Sequence, residues 1–385
     1  MIYPMIYLDN NATTPISPQV FDAMRPFLGV SFGNPSSAHS VGREAATAVV
    51  NARESVAAML GARSEQEIVF TSCGTESDNW AILGALGTNC DKRQIITTRV
   101  EHEAVRKLCE KLETQDFGVT WLETDESGSL DIDSLRSALS PDTAVVSVML
   151  ANNETGILFP VNEIAALVKE HSNALVHVDG VNAAGKVPID LSKTEIDLFS
   201  ISGHKFHGPK GIGALYVRGG VRLPSIIIGG GQEAGRRAGT EAVHQIVGLG
   251  AAAELVKDMT PMASVRDLRR RLENEILDKI PNSRLNGTGD SALRLPNTLS
   301  ISFENTNGEM ILAHLDDIGV CVSTGSACNA AGHIASPVLQ AMNIPYSYAM
   351  GAIRFSLSRF NTDEEIDFVV DRLPGIIESL RQLAA

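Results

Sequence analysis

From residue 67 to residue 217 the chain alternates short apolar runs with amphipathic stretches, and this alternation limits the possible folds more than any other feature. Runs at 67–70, 94–98, 119–122, 144–150, 174–179, 197–202 and 213–217 have strand length. Helical periodicity fills 75–86, 103–114, 135–139 and 162–170. Strands with so little polar relief need cover on both faces, which predicts an α/β unit with a mostly parallel sheet flanked by helices. Upstream, a short strand opens at Tyr7, and a first helix is expected over 18–27. A longer helix follows, carrying Ala45, Val49, Ala52, Val56 and Leu60 on one stripe and stopping at Gly61. A helix over 243–257 leads out of the sheet, and the break at Thr260-Pro261 is the best domain boundary.

Beyond that break the pattern changes. Helices are expected over 265–280, 309–318 and 337–342, with strands at 298–303, near Val320 and at 352–357. Thr362 and Glu365 form a capping box for a last helix. This half reads as a smaller α+β domain. The expected division is 15–260 for the large domain and 1–14 with 261–385 for the small one.

Bulk properties exclude several classes of function. A length of 385 residues exceeds one simple core, and 44% hydrophobic with 20% charged residues describes a folded chain. A formal charge of -14 argues against nucleic acid or an anionic membrane as main partner. No apolar run approaches the ~20 residues of a membrane span, and the N-terminus lacks a signal pattern. A cytoplasmic protein is therefore expected. Five cysteines without a C-x-x-C pair fit neither a disulfide framework nor a zinc ribbon, and no metal site is expected.

Four constellations carry chemistry. Gly74 and Thr75 lie between a strand and a helix, where backbone N–H groups and a hydroxyl can cradle a phosphate. His102 follows a strand end and can stack on a ring and carry protons, or simply cap a helix. Asp179 ends a strand expected to be buried, so its carboxylate needs a cation, either an arginine or a protonated ring nitrogen. Lys205, in Ser202-Gly203-His204-Lys205, is a loop lysine or, if desolvated, a nucleophilic amine. In chain order these give a phosphate cradle, a stacking histidine, a strand-end carboxylate and a lysine at the ends of predicted parallel strands. That set fits pyridoxal 5'-phosphate. Separately, a small-residue loop in the second half carries Cys328, either inert or a thiol suited to travel. Arg354 lies inside a later strand and can hold a carboxylate or form a structural ion pair.

With these segments in view, the chain closely resembles the cysteine desulfurases of the NifS/IscS class, class V pyridoxal-phosphate enzymes with an aspartate aminotransferase-like large domain. The likeness is carried by 7–14 (Tyr-Leu-Asp-Asn-Asn-Ala-Thr-Thr), 33–37, 71–77, 151–156, 200–211, 235–240, 323–328 and 353–360. It implies Lys205 as the Schiff-base lysine, His102 as the stacking and proton-transfer group, and Asp179 as the partner of the ring nitrogen. Thr75, Ser202 and His204 would hold the phosphate, and Thr240 would serve the phosphate site of a neighbouring subunit in a homodimer. Asn153 and Arg354 would hold the carboxylate of L-cysteine. Cys328, on a mobile loop, would take the substrate sulfur as a persulfide and release alanine. The persulfide would pass to an iron–sulfur scaffold or another sulfur acceptor, with Cys328 touching iron only during transfer. A selenocysteine lyase, another class V enzyme, or an impaired scaffold of the same fold are the competing expectations. Three positions depart from the family pattern: Asn182 where a glutamine usually meets the cofactor's phenolic oxygen, Gly180 where alanine is usual, and Ala234 where arginine is common.

Overall fold

The computed structural model describes residues 5–324 and 335–384. The chain opens with a two-residue strand, β1 (Ile6–Tyr7), then α1 (Pro18–Met24) and α2 (Ser40–Leu60). The alternation then runs β2 (Ile68–Thr71), α3 (Gly74–Thr88), β3 (Gln94–Thr98), α4 (Glu103–Glu113), β4 (Gly118–Leu122), α5 (Ile132–Ala138), β5 (Thr143–Met149), α6 (Val161–His171), β6 (Leu175–Asp179), β7 (Leu198–Ser202) and β8 (Gly213–Val217). Boundaries expected from periodicity are met within a few residues. The first helix is shorter than expected, because a 3-10 turn takes over at Arg25 just before Pro26.

The seven strands form one sheet in the order β2-β8-β7-β6-β5-β3-β4. All run parallel except β8, which is antiparallel to both β7 and β2. The expectation that the site residues end parallel strands holds for those on β3, β5, β6, β7 and β2. Strand β8 is reversed because the link from Ser202 to Gly213 is too short for a crossover helix, which needs about a dozen residues or more. Period-two alternation sends neighbouring side chains to opposite faces. Val69 faces Trp80 and Ala81 of α3, while Ile68 and Phe70 join the other layer with Val49, Val56 and Leu60 of α2. Helices α3 and α4 therefore cover one face, and α2, α5, α6 and α7 (Val243–Lys257) the other.

The remainder holds α8 (Pro261–Lys279), β9 (Ser283–Leu285), β10 (Thr298–Phe303), α9 (Gly308–Asp316), β11 (Val320–Cys321), α10 (Pro337–Ala341), α11 (Tyr346–Ala349), β12 (Ala352–Ser356) and α12 (Asp363–Ala384). Strands β9, β10 and β12 pair antiparallel, and β1 pairs with β11. A second apolar core unites Ile6 and Leu8 with Leu272, Ile301, Leu315, Phe355 and Leu373. Residues 335–352 pack instead on the first core, through Val338, Leu339, Met342 and Ala349. Strand β9 and α11 were not visible in the sequence pattern, being only three and four residues long. The capping box of α12 is present: the Thr362 N–H donates to Glu365 at 3.1 Å, and the Glu365 N–H to Thr362 Oγ1 at 3.4 Å.

Candidate active site

Parallel strands end on one edge of the sheet, and that edge is where a ligand cleft forms. Register decides which side chains meet there. Asp179 lies opposite Met149 on one side and Ser200 on the other, so the ends of β5, β6 and β7 stand level. Together with the turn into α3 and the residue before α4 they enclose a cavity of about 170 Å³. Gly74, Thr75, His102, Asn153, Asp179, Asn182, Ser202, His204 and Lys205 all line it. The structure thus brings together nine positions that span more than a hundred residues of sequence.

Each wall has a local cause. Helix α3 starts at Gly74, where a Cβ would come within 2.8 Å of Val181, so the helix can approach β6 only with glycine there. Cys73 at its N-cap gives no side-chain cap, which leaves first-turn amides as donors beside the cavity. His102 is the N-cap of α4, its Nδ1 accepting the Ala104 N–H at 3.1 Å. If neutral, the ring therefore carries its proton on Nε2. Desolvation lowers the His102 pKa, against the pull of Asp179. Gly180 also has a steric reason: a Cβ would lie 1.9 Å from the Phe199 ring, so alanine does not fit beside this phenylalanine.

Among the described residues Lys205, Asp179 and His204 have no ion-pair partner, and the Lys205 Nζ donates to the backbone oxygens of Asn11 (2.6 Å) and Ala12 (3.1 Å). Burial first, then the Arg354 charge, brings its pKa down to about 8. Asp179 Oδ1 accepts the Val181 N–H at 2.9 Å, and burial with the nearby Asp78 pushes its pKa up to about 6. Burial and Lys205 hold His204 down to about 4. Ser202 Oγ is buried and has no hydrogen-bond partner among the described residues. An unpaired carboxylate, a lysine poised to lose its proton, an unused hydroxyl and free amides make a site built for a ring cation, a carbonyl and an anion. The residues present fit pyridoxal phosphate.

Arg354 stands next to the cavity. Its Nη1 donates to Asn153 O (3.0 Å) and its Nη2 to Asp9 Oδ1 (2.7 Å). Thr240 lies elsewhere, beside Ser72 and Arg237 in a second cavity of about 240 Å³. Cys328 is outside the described residues. Sequence reasoning missed the layer beneath Asp179. There His177, fully buried, joins Ser147 Oγ and Ser200 Oγ, each at 2.9 Å, and comes within 3.5 Å of Asp78. Burial raises Asp78 to about 7 and Glu101 well above the usual carboxylate range. The available signal was a histidine and two acids within the strand, helix and loop segments at 177, 78 and 101.

This sheet with a cavity of this composition fits the class of pyridoxal-phosphate enzymes. Comparison with known proteins narrows it. The family pattern "Aminotransferase class-V" matches residues 6–369. A protein of Nostoc sp. (strain PCC 7120) named cysteine desulfurase is 52% identical over 382 residues, covering 99% of this chain and 94% of the relative. A solved structure titled NIFS-like protein superposes with a TM-score of 0.91 at 39% identity, covering 98% of this chain and all of the other. Another, titled SspA in complex with cysteine, gives a TM-score of 0.81 at 35% identity over 93% of this chain and 100% of that one. The chain belongs to the class-V aminotransferase family and, within it, to the cysteine desulfurases. Enzymes of this family use pyridoxal 5'-phosphate.

Proposed function

We propose that this protein removes sulfur from L-cysteine, giving L-alanine and a persulfide on Cys328. The reading is supported above all by the convergence of Lys205, Asp179, His102 and Ser202 on one cavity, where Lys205 and Asp179 have no ion-pair partner among the described residues. Pyridoxal phosphate, when bound, supplies the electron sink that allows the bonds at the substrate Cα and Cβ to be broken. Gly74, Thr75, Ser202 and His204 would hold its phosphate, Asp179 its ring nitrogen, His102 its ring face and Asn182 its ring oxygen. Lys205, with a pKa near 8, is suited to hold the cofactor and to take and return a proton at the substrate Cα. Arg354 and Asn153 would orient the substrate carboxylate, Arg354 exchanging or sharing its bond to Asp9. The Cys328 thiolate would attack the substrate sulfur; the carbon keeps the C–S bonding pair, takes up a proton and leaves as alanine, and Cys328 retains the sulfur.

The unit 15–260 would act as the cofactor-binding body, and 1–14 with 261–385 as the unit that presents Cys328. The separate core joining Ile6 and Leu8 to residues within 265–322 and 353–380 supports this division, while 335–352 pack on the first core. A homodimer in which Thr240 completes the partner's phosphate site, a cytoplasmic setting, and sulfur delivery to an iron–sulfur scaffold or other acceptor complete the proposal. Among the described residues no helix is long and apolar enough to cross a membrane. The test is to incubate the holoprotein with L-cysteine and quantify alanine and protein-bound persulfide. Cys328→Ala should lower alanine formation by at least about 10³-fold, since losing a nucleophile can cost up to ~10⁶-fold, while keeping the cofactor's visible absorption. Undiminished alanine formation in that variant refutes the reading.

A further inference from the structure

A lysine that sequence reasoning did not single out lies behind the cavity wall. Lys186 is 7% exposed and sits one turn beyond Asn182, after β6. Its Nζ donates to Asn182 O (2.9 Å), Asn182 Oδ1 (3.0 Å) and Asn11 Oδ1 (3.3 Å). No carboxylate pairs with it among the described residues, and burial, with the charges of Lys205 and Arg354, drives its pKa well below the ordinary lysine value. A buried ammonium without a counter-ion costs stability. Its retention therefore calls for another reason.

Hydrogen-bond direction supplies one. An ammonium has three N–H donors and no acceptor, and the three oxygens around Nζ use all of them. The Asn182 amide accordingly turns its oxygen, not its nitrogen, toward Nζ at 3.0 Å. The nitrogen is turned away, and its one hydrogen-bond contact among the described residues is a long 3.5 Å approach to Asn152 O. One Nδ2 hydrogen is left for the cavity that Asn182 lines. The same lysine orients Asn11. With Oδ1 held by Lys186 and by Asn297 Nδ2 (3.1 Å), the Asn11 amide nitrogen donates to Asn153 O (3.1 Å) and Thr298 Oγ1 (2.8 Å). The backbone oxygen of Asn11 is the acceptor of Lys205.

We propose that Lys186 is a positioning residue that locks the Asn182 amide with its N–H toward the cavity, as a fixed donor to the oxygen on the bound cofactor ring. The inference rests on the pyridoxal-phosphate reading. It also accounts for the shorter side chain at 182: reach given up by asparagine is replaced by fixed orientation.

The experiment titrates pyridoxal phosphate into apoprotein of wild type, Lys186→Met, Asn182→Ala and the double variant, recording the dissociation constant and the visible band. Lys186→Met should weaken binding about tenfold, the scale of one lost hydrogen bond, and shift the band. In the Asn182→Ala background the same change should alter affinity by less than about twofold, as coupled residues require. A lysine with only a structural role would leave the band in place and act alike in both backgrounds; either result overturns the proposal. Should Lys186→Met not fold, Lys186→Gln takes its place with the same expected band shift, because its amide can accept as well as donate and no longer fixes which end of Asn182 faces it. A wild type that loads normally beside a Lys186 variant that loads identically overturns this inference alone. A wild type that takes up no cofactor, with no borohydride-fixed adduct on Lys205, brings down the functional reading as well.

Discussion

Two groups of buried charge lie along the large sheet, and they are built on opposite terms. Beside β2, the Glu233 carboxylate accepts both Nη atoms of Arg53, each at 2.7 Å, and the Phe70 N–H at 2.9 Å. Arg53 also donates to Ile68 O and stacks over the Phe70 ring. Every charge there is answered inside the chain. In the cavity, among the described residues, Asp179 has one backbone donor, Lys205 has only carbonyl oxygens, and Ser202 Oγ has no partner. The first group fastens the loop before α7 to the sheet. The second is left incomplete, and burial displaces the pKa values of Asp179, His204 and Lys205, a pattern that clusters at functional sites.

Replacing Lys205 should break the cavity most completely. Lys205→Met should lose alanine formation by at least about a thousandfold, the scale of removing a covalent group. It should also change how apoprotein stability varies with pH. The folded pKa is about 8 against an ordinary 10.5. Below pH 8 both states carry the proton and the desolvation cost is complete. Between 8 and 10.5 only the unfolded chain holds it, so wild-type stability contains a component that rises with pH. Thermal melts of the two apoproteins from pH 7 to 10 should show the variant without that component; parallel curves would rule the argument out.

For the paired group the effect should be on stability alone. Glu233→Ala strands Arg53 and should cost about 3–5 kcal/mol in urea unfolding, as removal of one partner of a buried pair does. A loss under about 1 kcal/mol would mean the pair is more hydrated than its geometry implies. The smallest effect concerns the residue next to it. Ala234 is exposed with φ 56°, between Glu233 at 50° and Gly235 at 78°. A non-glycine residue pays about 1–2 kcal/mol in that region, and glycine returns part of the gain through unfolded-state entropy. Ala234→Gly should therefore stabilise by roughly 0.5–1 kcal/mol in the same assay, with a neutral or negative result counting against backbone strain.

Much of this was legible in the residues themselves. The βα alternation, the long α2 stripe ending at Leu60 and the capping box of α12 follow from periodicity and local chemistry, which tertiary contacts did not override. Lys205, Asp179, His102 and Thr75 could be singled out because a charge or hydroxyl at the end of an apolar run is conspicuous. The layer beneath was not legible. Asp78, Glu101 and His177 lie within helix, loop and strand segments where a polar residue reads as incidental, and their burial arises only when α3 and α4 close over the sheet. Lys186 drew no notice in the sequence, and its contacts appear only once Asn11, far upstream in the chain, is folded beside Asn182. Gly180, odd as a sequence choice, became necessary once the Phe199 ring was placed.

By itself the sequence determined which elements form and which residue types chemistry could use, because hydrophobic period and residue chemistry are local properties. Tertiary structure alone decided that β8 runs backwards, that Thr240 lies outside the main cavity and that Arg354 holds Asp9. It also decided which buried charges are paired and which are not. That last distinction depends on distances of about 3 Å between residues far apart in the chain, and no local pattern encodes them.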